Sequence, residues 1–203
     1  MTKIGNTAFT NCDSLKYVYI PPTIKQVGGG VFCGCHSLEK VILPENIDNL
    51  PHFYHSVGDG WYRYYGFFED CSSLKQLDIP NNLTSIGERA FCNCSSLTAI
   101  TIPDSVTEIG GGAFYRCSSL KNITLPEKIT SLPSNYNNFG LTYGLFEGCS
   151  SLMSITIPNG VKTIGAKTFA ECSSITNIHK TSFNHFTNNN KLYYKSTFHI
   201  QRR

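Results

Sequence analysis

Cysteines set beside serines are the residues of this chain whose types and spacing most suggest chemistry. Residues 91–103 read FCNCSSLTAITIP, with a single residue between Cys92 and Cys94, and Cys33 and Cys35 repeat the spacing. Such a pair is half of a metal site, a dithiol redox couple, or the nucleophile region of a hydrolase. A zinc site needs four convergent ligands, commonly from two close pairs, yet the pairs at Cys33 and Cys92 are widely separated in the chain. His52, His55 and Asp59 form a second cluster of the kind acid–base chemistry uses. No nucleophile motif accompanies it, so it is read as exposed loop histidines. No catalytic residue, metal site or cofactor is expected.

The elements that position these residues emerge when every Phe-x-x-Cys is aligned. Seven copies place cysteines at Cys12, Cys35, Cys71, Cys94, Cys117, Cys149 and Cys172. Their numbers differ in turn by 23, 36, 23, 23, 32 and 23, which is a period of about 23 residues with two insertions, of 13 and 9. Two positions after each of these cysteines stands a serine, and three after stands Leu, or Ile175 in the last copy. Six after is Val, Leu or Ile; eight after, in the first six copies, is Ile or Leu followed by proline. A fixed period of this length is the signature of a solenoid, in which stacked units share one core that no unit could bury alone.

Each unit reads physically. Ile100 and Ile102 show the period of two of a short strand with one buried face, and Pro103 removes a backbone donor and ends it. Val106 and Ile109 add core, and Gly110 marks a turn. Equivalent strands of neighbouring coils are expected to form a parallel ladder with a spacing of about 4.8 Å, so seven coils span roughly 30 to 35 Å. The column cysteines pack inside as small hydrophobes beside the column of phenylalanines, and the serines are expected to bond their own turn. Cysteines that follow the repeat instead of scattering argue against a disulfide framework.

The segment IGERAFCNCSSLTAITIPDSVTEIGGGAFYRCSSLKNITLP carries the pattern in full. It resembles the BspA-like, or Treponema pallidum type, leucine-rich repeat, and the resemblance extends over residues 4–178. The resemblance implies a leucine-rich-repeat solenoid of seven coils, each of about 23 residues. It also implies a secreted or cell-surface protein that binds host matrix or other cell surfaces, a protein or glycan ligand, and no catalytic motif to transfer.

Both insertions leave the coil at one register, where Leu-Pro (Leu50-Pro51, Leu132-Pro133) replaces the usual Ile/Val-Gly. Near residues 52–66 and 134–144 they are rich in aromatics, Gly and Asn, and by the strand spacing their roots lie about 15 Å apart. Loops on a rigid scaffold concentrate binding function, and Trp, Tyr and Arg are enriched at binding hot spots. The candidate ligand residues are therefore His52, Tyr54, Trp61, Tyr62, Arg63, Tyr64 and Tyr65 in the first insertion and Tyr136, Phe139 and Tyr143 in the second. The alternative is that these aromatics fold back over the solenoid flank. A secondary candidate is the outer strand face, represented by Lys16, Tyr17, Tyr19, Lys40, Lys75 and Asp78.

Charge and composition limit the partners. The chain of 203 residues is 40% hydrophobic and 15% charged, as a globular protein with a sizeable core requires. The net charge of +3 arises from residues 180–203, which hold five Lys or Arg and no acid, leaving −2 for the rest. A near-neutral body offers no footprint for nucleic acid, and no run of about 18 apolar residues predicts a membrane span. MTKIGNTAF lacks the zones of a signal peptide. Three residues precede the first Ile-Gly, an uncapped end that invites further coils or end-to-end self-association. Residues 179–203 are expected to form a cap or tail, and Asn82, Asn93 and Asn122 sit in sequons within repeat positions.

Overall fold

The computed structural model describes residues 1–58, 61–136 and 141–180, with the side chains of all of these except Val57, Trp61, Tyr136 and Lys180. Of the expected C-terminal cap, residues 181–203 lie outside the described residues, while His179 and Lys180 continue the last strand. Seven coils stack in sequence order, and no helix occurs among the described residues. Coils are numbered here by their cysteine column, from Cys12 in coil 1 to Cys172 in coil 7.

The Phe-x-x-Cys segment builds a tight turn. In coil 4 the Cys94 amide donates to the Phe91 carbonyl at 3.1 Å, and the Leu97 amide donates to the Cys94 carbonyl at 3.1 Å. The residue before each cysteine (Asn11, Gly34, Asp70, Asn93, Arg116, Gly148, Glu171) has φ between 56° and 79°. Asn, Asp and Gly enter this left-handed region most cheaply. Arg116 is held there by its amide, which donates to the Glu147 carbonyl of the next coil at 2.7 Å.

These turns form the continuous spine of the molecule. The Phe amide donates to the carbonyl preceding the next coil's Phe at each of the six steps, from Phe9 to Val31 (3.0 Å) to Phe146 to Thr168 (2.9 Å). Beside it the phenylalanine rings stack from Phe9 to Phe169 with centroids 5.3–5.9 Å apart. Phe32, Phe68, Phe91, Phe114 and Phe146 are fully buried, each contributing about 1.5–3 kcal/mol of transfer free energy.

The strand ladder is parallel as expected but interrupted. On the outer face Tyr17–Tyr19 pairs with Lys40–Ile42, Ala99–Thr101 with Asn122–Thr124, and Ser154–Ile157 with Asn177–Lys180. On the next side Lys3–Ile4 pairs with Gln26–Val27; Asn49–Leu50, Ser85–Ile86 and Glu108–Ile109 form a trio; and Ser131–Leu132 pairs with Thr163–Ile164. Both ladders break between coils 2 and 3 and between coils 5 and 6, and the outer one is also open between coils 3 and 4. The two shared breaks are the interfaces at which an insertion departs. The turn spine crosses both, through Phe32 to Phe67 (3.0 Å) and Phe114 to Leu145 (3.1 Å).

The cysteine column has a polar role beyond filling space. The Sγ of Cys35, Cys71, Cys94, Cys117, Cys149 and Cys172 each donates to the carbonyl of the phenylalanine one coil earlier, at 3.0–3.2 Å. Each accepting carbonyl already receives its own coil's Cys amide, so both lone pairs are engaged. The serine expectation is corrected in the same sense. Among the serines of these turns, the hydroxyl bonds come from the one directly after the cysteine and run between coils, as from Ser95 to the Ser72 carbonyl and from Ser173 to the Ser150 carbonyl.

Candidate binding surface

The insertions are β-hairpins. Phe53–Gly58 pairs antiparallel with Trp61–Tyr65, with a bulge between Ser56 and Gly58. Asn135–Tyr136 pairs antiparallel with Thr142–Tyr143. Aligned on the coil register, the added residues are 52–64 and 134–142, followed by YGFFEDC and YGLFEGC.

One seat serves both hairpins. The coil before each insertion carries three consecutive glycines, Gly28–Gly30 and Gly110–Gly112. A Cβ on Gly29 would collide with the backbone of His52 and Phe53, and one on Gly111 would come within 2.5 Å of the Asn135 amide nitrogen. Glycine is required here because the hairpin lies on the preceding turn. The return strand is fixed by a buried glutamate: Glu69 accepts from the Gly66 amide at 2.8 Å, and Glu147 accepts from the Gly144 amide at 2.9 Å. Each carboxylate then meets a cation from the following coil, Arg89 for Glu69 and Lys167, at 3.7 Å, for Glu147.

Arg89 also joins the two insertions. Its guanidinium bonds Glu69 at the foot of the first hairpin and lies 5.0 Å from the ring centroid of Tyr143 in the second. Beside it Asn135 donates to Glu88 at 2.8 Å, and Tyr143 meets Tyr115 edge-on at 4.9 Å. The second hairpin therefore leans back over coil 5 onto coil 4.

The candidate residues divide by strand face. Tyr65 sits over Gly30 and stacks with His55 at 5.7 Å, beneath Arg63 at 5.5 Å, with Phe53 alongside. On the other face Tyr54 opposes Tyr64 and Ser56 opposes Tyr62. Tyr54 stands 5.8 Å from both tyrosine rings and 6.2 Å from His52. Tyr54 is 53% and Tyr62 45% exposed, whereas Tyr65 and Tyr143 are half-buried root residues. The backbones of Trp61 and Tyr136 lie in the hairpin strands, but their side chains lie outside the described part, as does Phe139 entirely. His52 and His55 make ring contacts within the hairpin, and Asp59 lies outside the described residues.

Lys16, Tyr17, Tyr19, Lys40, Lys75 and Asp78 are all exposed on the outer face. Tyr19 stands opposite Ile42; beyond them, where the ladder opens, a cleft of about 90 Å³ is lined by Lys40, Ile42, Gln76 and Asp78. Lys75 is paired to Glu39 at 3.9 Å. A third surface escaped sequence reasoning: an open trough of about 800 Å³ along coils 2 to 7, including Asp70, Asn93, Arg116, Ser95 and Ser150. Its polar groups are partly spent on the stack, as where Asn93 donates to Asp70 at 2.7 Å and Ser150 donates to the Ser118 carbonyl.

The thiols are poorly placed for chemistry. All nine cysteines are free, and eight are buried. Burial, with Glu69 and Asp70 nearby, pushes the Cys33 thiol up to about 12, and burial holds Cys92 well above the ordinary range. Reactive cysteines show the opposite displacement. Among the described residues no group of three or more His, Cys, Asp or Glu is placed to hold a metal ion, and no helix is long and apolar enough to cross a membrane.

A fold of this kind defines a leucine-rich-repeat scaffold from which two hairpin insertions depart. The BspA-type leucine-rich repeat region matches residues 1–56 and 64–198 in six copies, and the chain belongs to that family. A leucine-rich repeat protein from Bacteroides ovatus is similar at 33% identity and a TM-score of 0.74 over 88% of this chain and 41% of its own. This chain thus spans under half the length of that relative. The Treponema pallidum leucine-rich repeat protein is similar at 28% identity and a TM-score of 0.70, over 86% of this chain and 72% of its own. A leucine-rich repeat protein from Eubacterium ventriosum, 23% identical with a TM-score of 0.51 over 88% of this chain and 52% of its own, shares the fold. No curated protein sequence matches the chain.

Proposed function

We propose that this protein is a non-enzymatic recognition module that binds a protein or glycan ligand at a cell surface or host matrix through its first hairpin. The observation that carries this reading is the tyrosine face of that hairpin, held on a glycine seat and a buried ion pair and left substantially exposed at Tyr54 and Tyr62. An element that only covered the solenoid flank would bury those rings. Tyrosine offers large rigid contact area at little entropic cost, and the scaffold positions it without loss of loop freedom on binding. Membership of the BspA-type leucine-rich repeat family supports a binding role.

The test is a panel of immobilised matrix proteins and polysaccharides probed with the chain and with a Tyr54→Ala, Tyr62→Ala variant of matched thermal stability. The wild-type chain is expected to bind at least one member, and the variant at least tenfold more weakly. Equal binding by the variant would remove the hairpin from the site and turn attention to Tyr17, Tyr19 and Ile42.

A further inference from the structure

We infer that the face formed by His52, Tyr54, Ser56, Tyr62 and Tyr64 is a platform for a neutral sugar chain. This rests on the recognition reading above and narrows its ligand from protein or glycan to uncharged polysaccharide. The alternation of the hairpin assigns these five residues to one side, with Tyr54 opposite Tyr64 and Ser56 opposite Tyr62. None of the five carries a carboxylate, an ammonium or a guanidinium, while Arg63 belongs to the opposite side, over Tyr65. A charged ligand would gain nothing specific from such a face, since complementarity of potential is what directs charged partners.

The shape and chemistry of the residues select further. Every side chain on this side except Ser56 is a ring, and every one ends in a hydroxyl or a ring nitrogen that can donate or accept. A pyranose presents a flat C–H surface rimmed by hydroxyls, and a phenol matches both parts at once. None of the five is Leu, Ile, Val or Met, the aliphatic knobs that would interdigitate with a protein core. It is also narrow, a two-stranded ribbon with strands about 4.8 Å apart. That width suits one chain of sugars and falls well short of the roughly 800 Å² per partner of a standard protein interface. The rings of His52 and Tyr54 lie 6.2 Å apart and near parallel, and Tyr62 meets Tyr54 edge-on at 5.8 Å, so ring surface extends from one strand to the other.

The experiment is native electrophoresis of the chain through gels containing a soluble β-glucan, a xyloglucan, a galactomannan or, as the acidic member, polygalacturonate. Retardation is expected in at least one neutral gel and not in polygalacturonate. Tyr54→Ala and Tyr62→Ala should each weaken it at least tenfold, Tyr54→Phe should keep part of it, and the exposed Glu127→Ala should leave it unchanged. Retardation in no neutral gel, in the acidic gel alone, or undiminished in Tyr54→Ala would overturn the inference. A chain that binds a matrix protein through Tyr54 and Tyr62 but no neutral polysaccharide would overturn the sugar platform while leaving the recognition reading intact.

Discussion

The Sγ of Cys94 lies 3.1 Å from the carbonyl oxygen of Phe68, one coil earlier, and the same bond recurs at every step of the stack. A cysteine whose spacing suggests half of a reactive site is a donor in a buried column. Cys94→Ala is expected to lower stability by about 2 kcal/mol through the cavity and the lost bond. Cys94→Ser, which keeps a donor, should cost less. Urea midpoints of the two variants decide it: a serine variant as unstable as the alanine variant would show that the thiol acts by volume alone.

The same column makes stability fall in alkali. Burial pushes the Cys35 thiol up to about 11 and the Cys172 thiol up to about 12, from an ordinary value near 9.0. Above pH 9 the unfolded chain loses thiol protons that the folded chain retains, so stability declines with rising pH. The contribution is complete below pH 9 and disappears toward pH 11–12. A urea midpoint that declines from pH 9 to 10.5, with a shallower decline in Cys35→Ser, Cys172→Ser, is the expected result.

Glu69 and Arg89 fix the foot of the first hairpin, with side-chain exposures of 6% and 19%. Removing one partner of such a pair leaves a buried charge, so Arg89→Ala should cost about 3 kcal/mol. Combining it with Glu69→Gln should recover part of that loss. A double-mutant cycle measures the coupling, which two independent residues would not show.

The glycine seat predicts a contrast between two substitutions of one kind. Gly111→Ala drives a methyl into the backbone at Ser134 and Asn135 and should cost about 1–3 kcal/mol. Gly5→Ala meets nothing within 4 Å and should be neutral. Thermal midpoints check both, and a neutral Gly111→Ala would mean that the second hairpin does not rest on coil 5.

Much of this architecture was legible in the chain. The Phe, Cys and Leu columns reveal the coil and its period because each occupies an inward position that recurs once per coil. The breaks in the ladder were not legible, since Leu77 and Ile79 keep the strand pattern in coil 3 although no strand forms there. The hairpin seat left a signal that spacing alone did not rank. Triple glycine precedes both insertions, and Tyr-Gly-Phe/Leu-Phe-Glu follows both. Which tyrosines share a face depends on the register that sets Tyr54 opposite Tyr64 and Ser56 opposite Tyr62, a feature of pairing and not of composition.

Recognition by the first hairpin, and not by the coils, is tested by removing that hairpin. Deleting residues 52–64 rejoins Pro51 to Tyr65 in the register of an uninserted coil, so the shortened chain is expected to fold. Beads coated with either chain would be tested for adherence to the same immobilised matrix proteins and polysaccharides. Adherence by the full chain and none by the shortened chain is expected, with cooperative melting in both. Undiminished adherence after the deletion would contradict recognition by the hairpin.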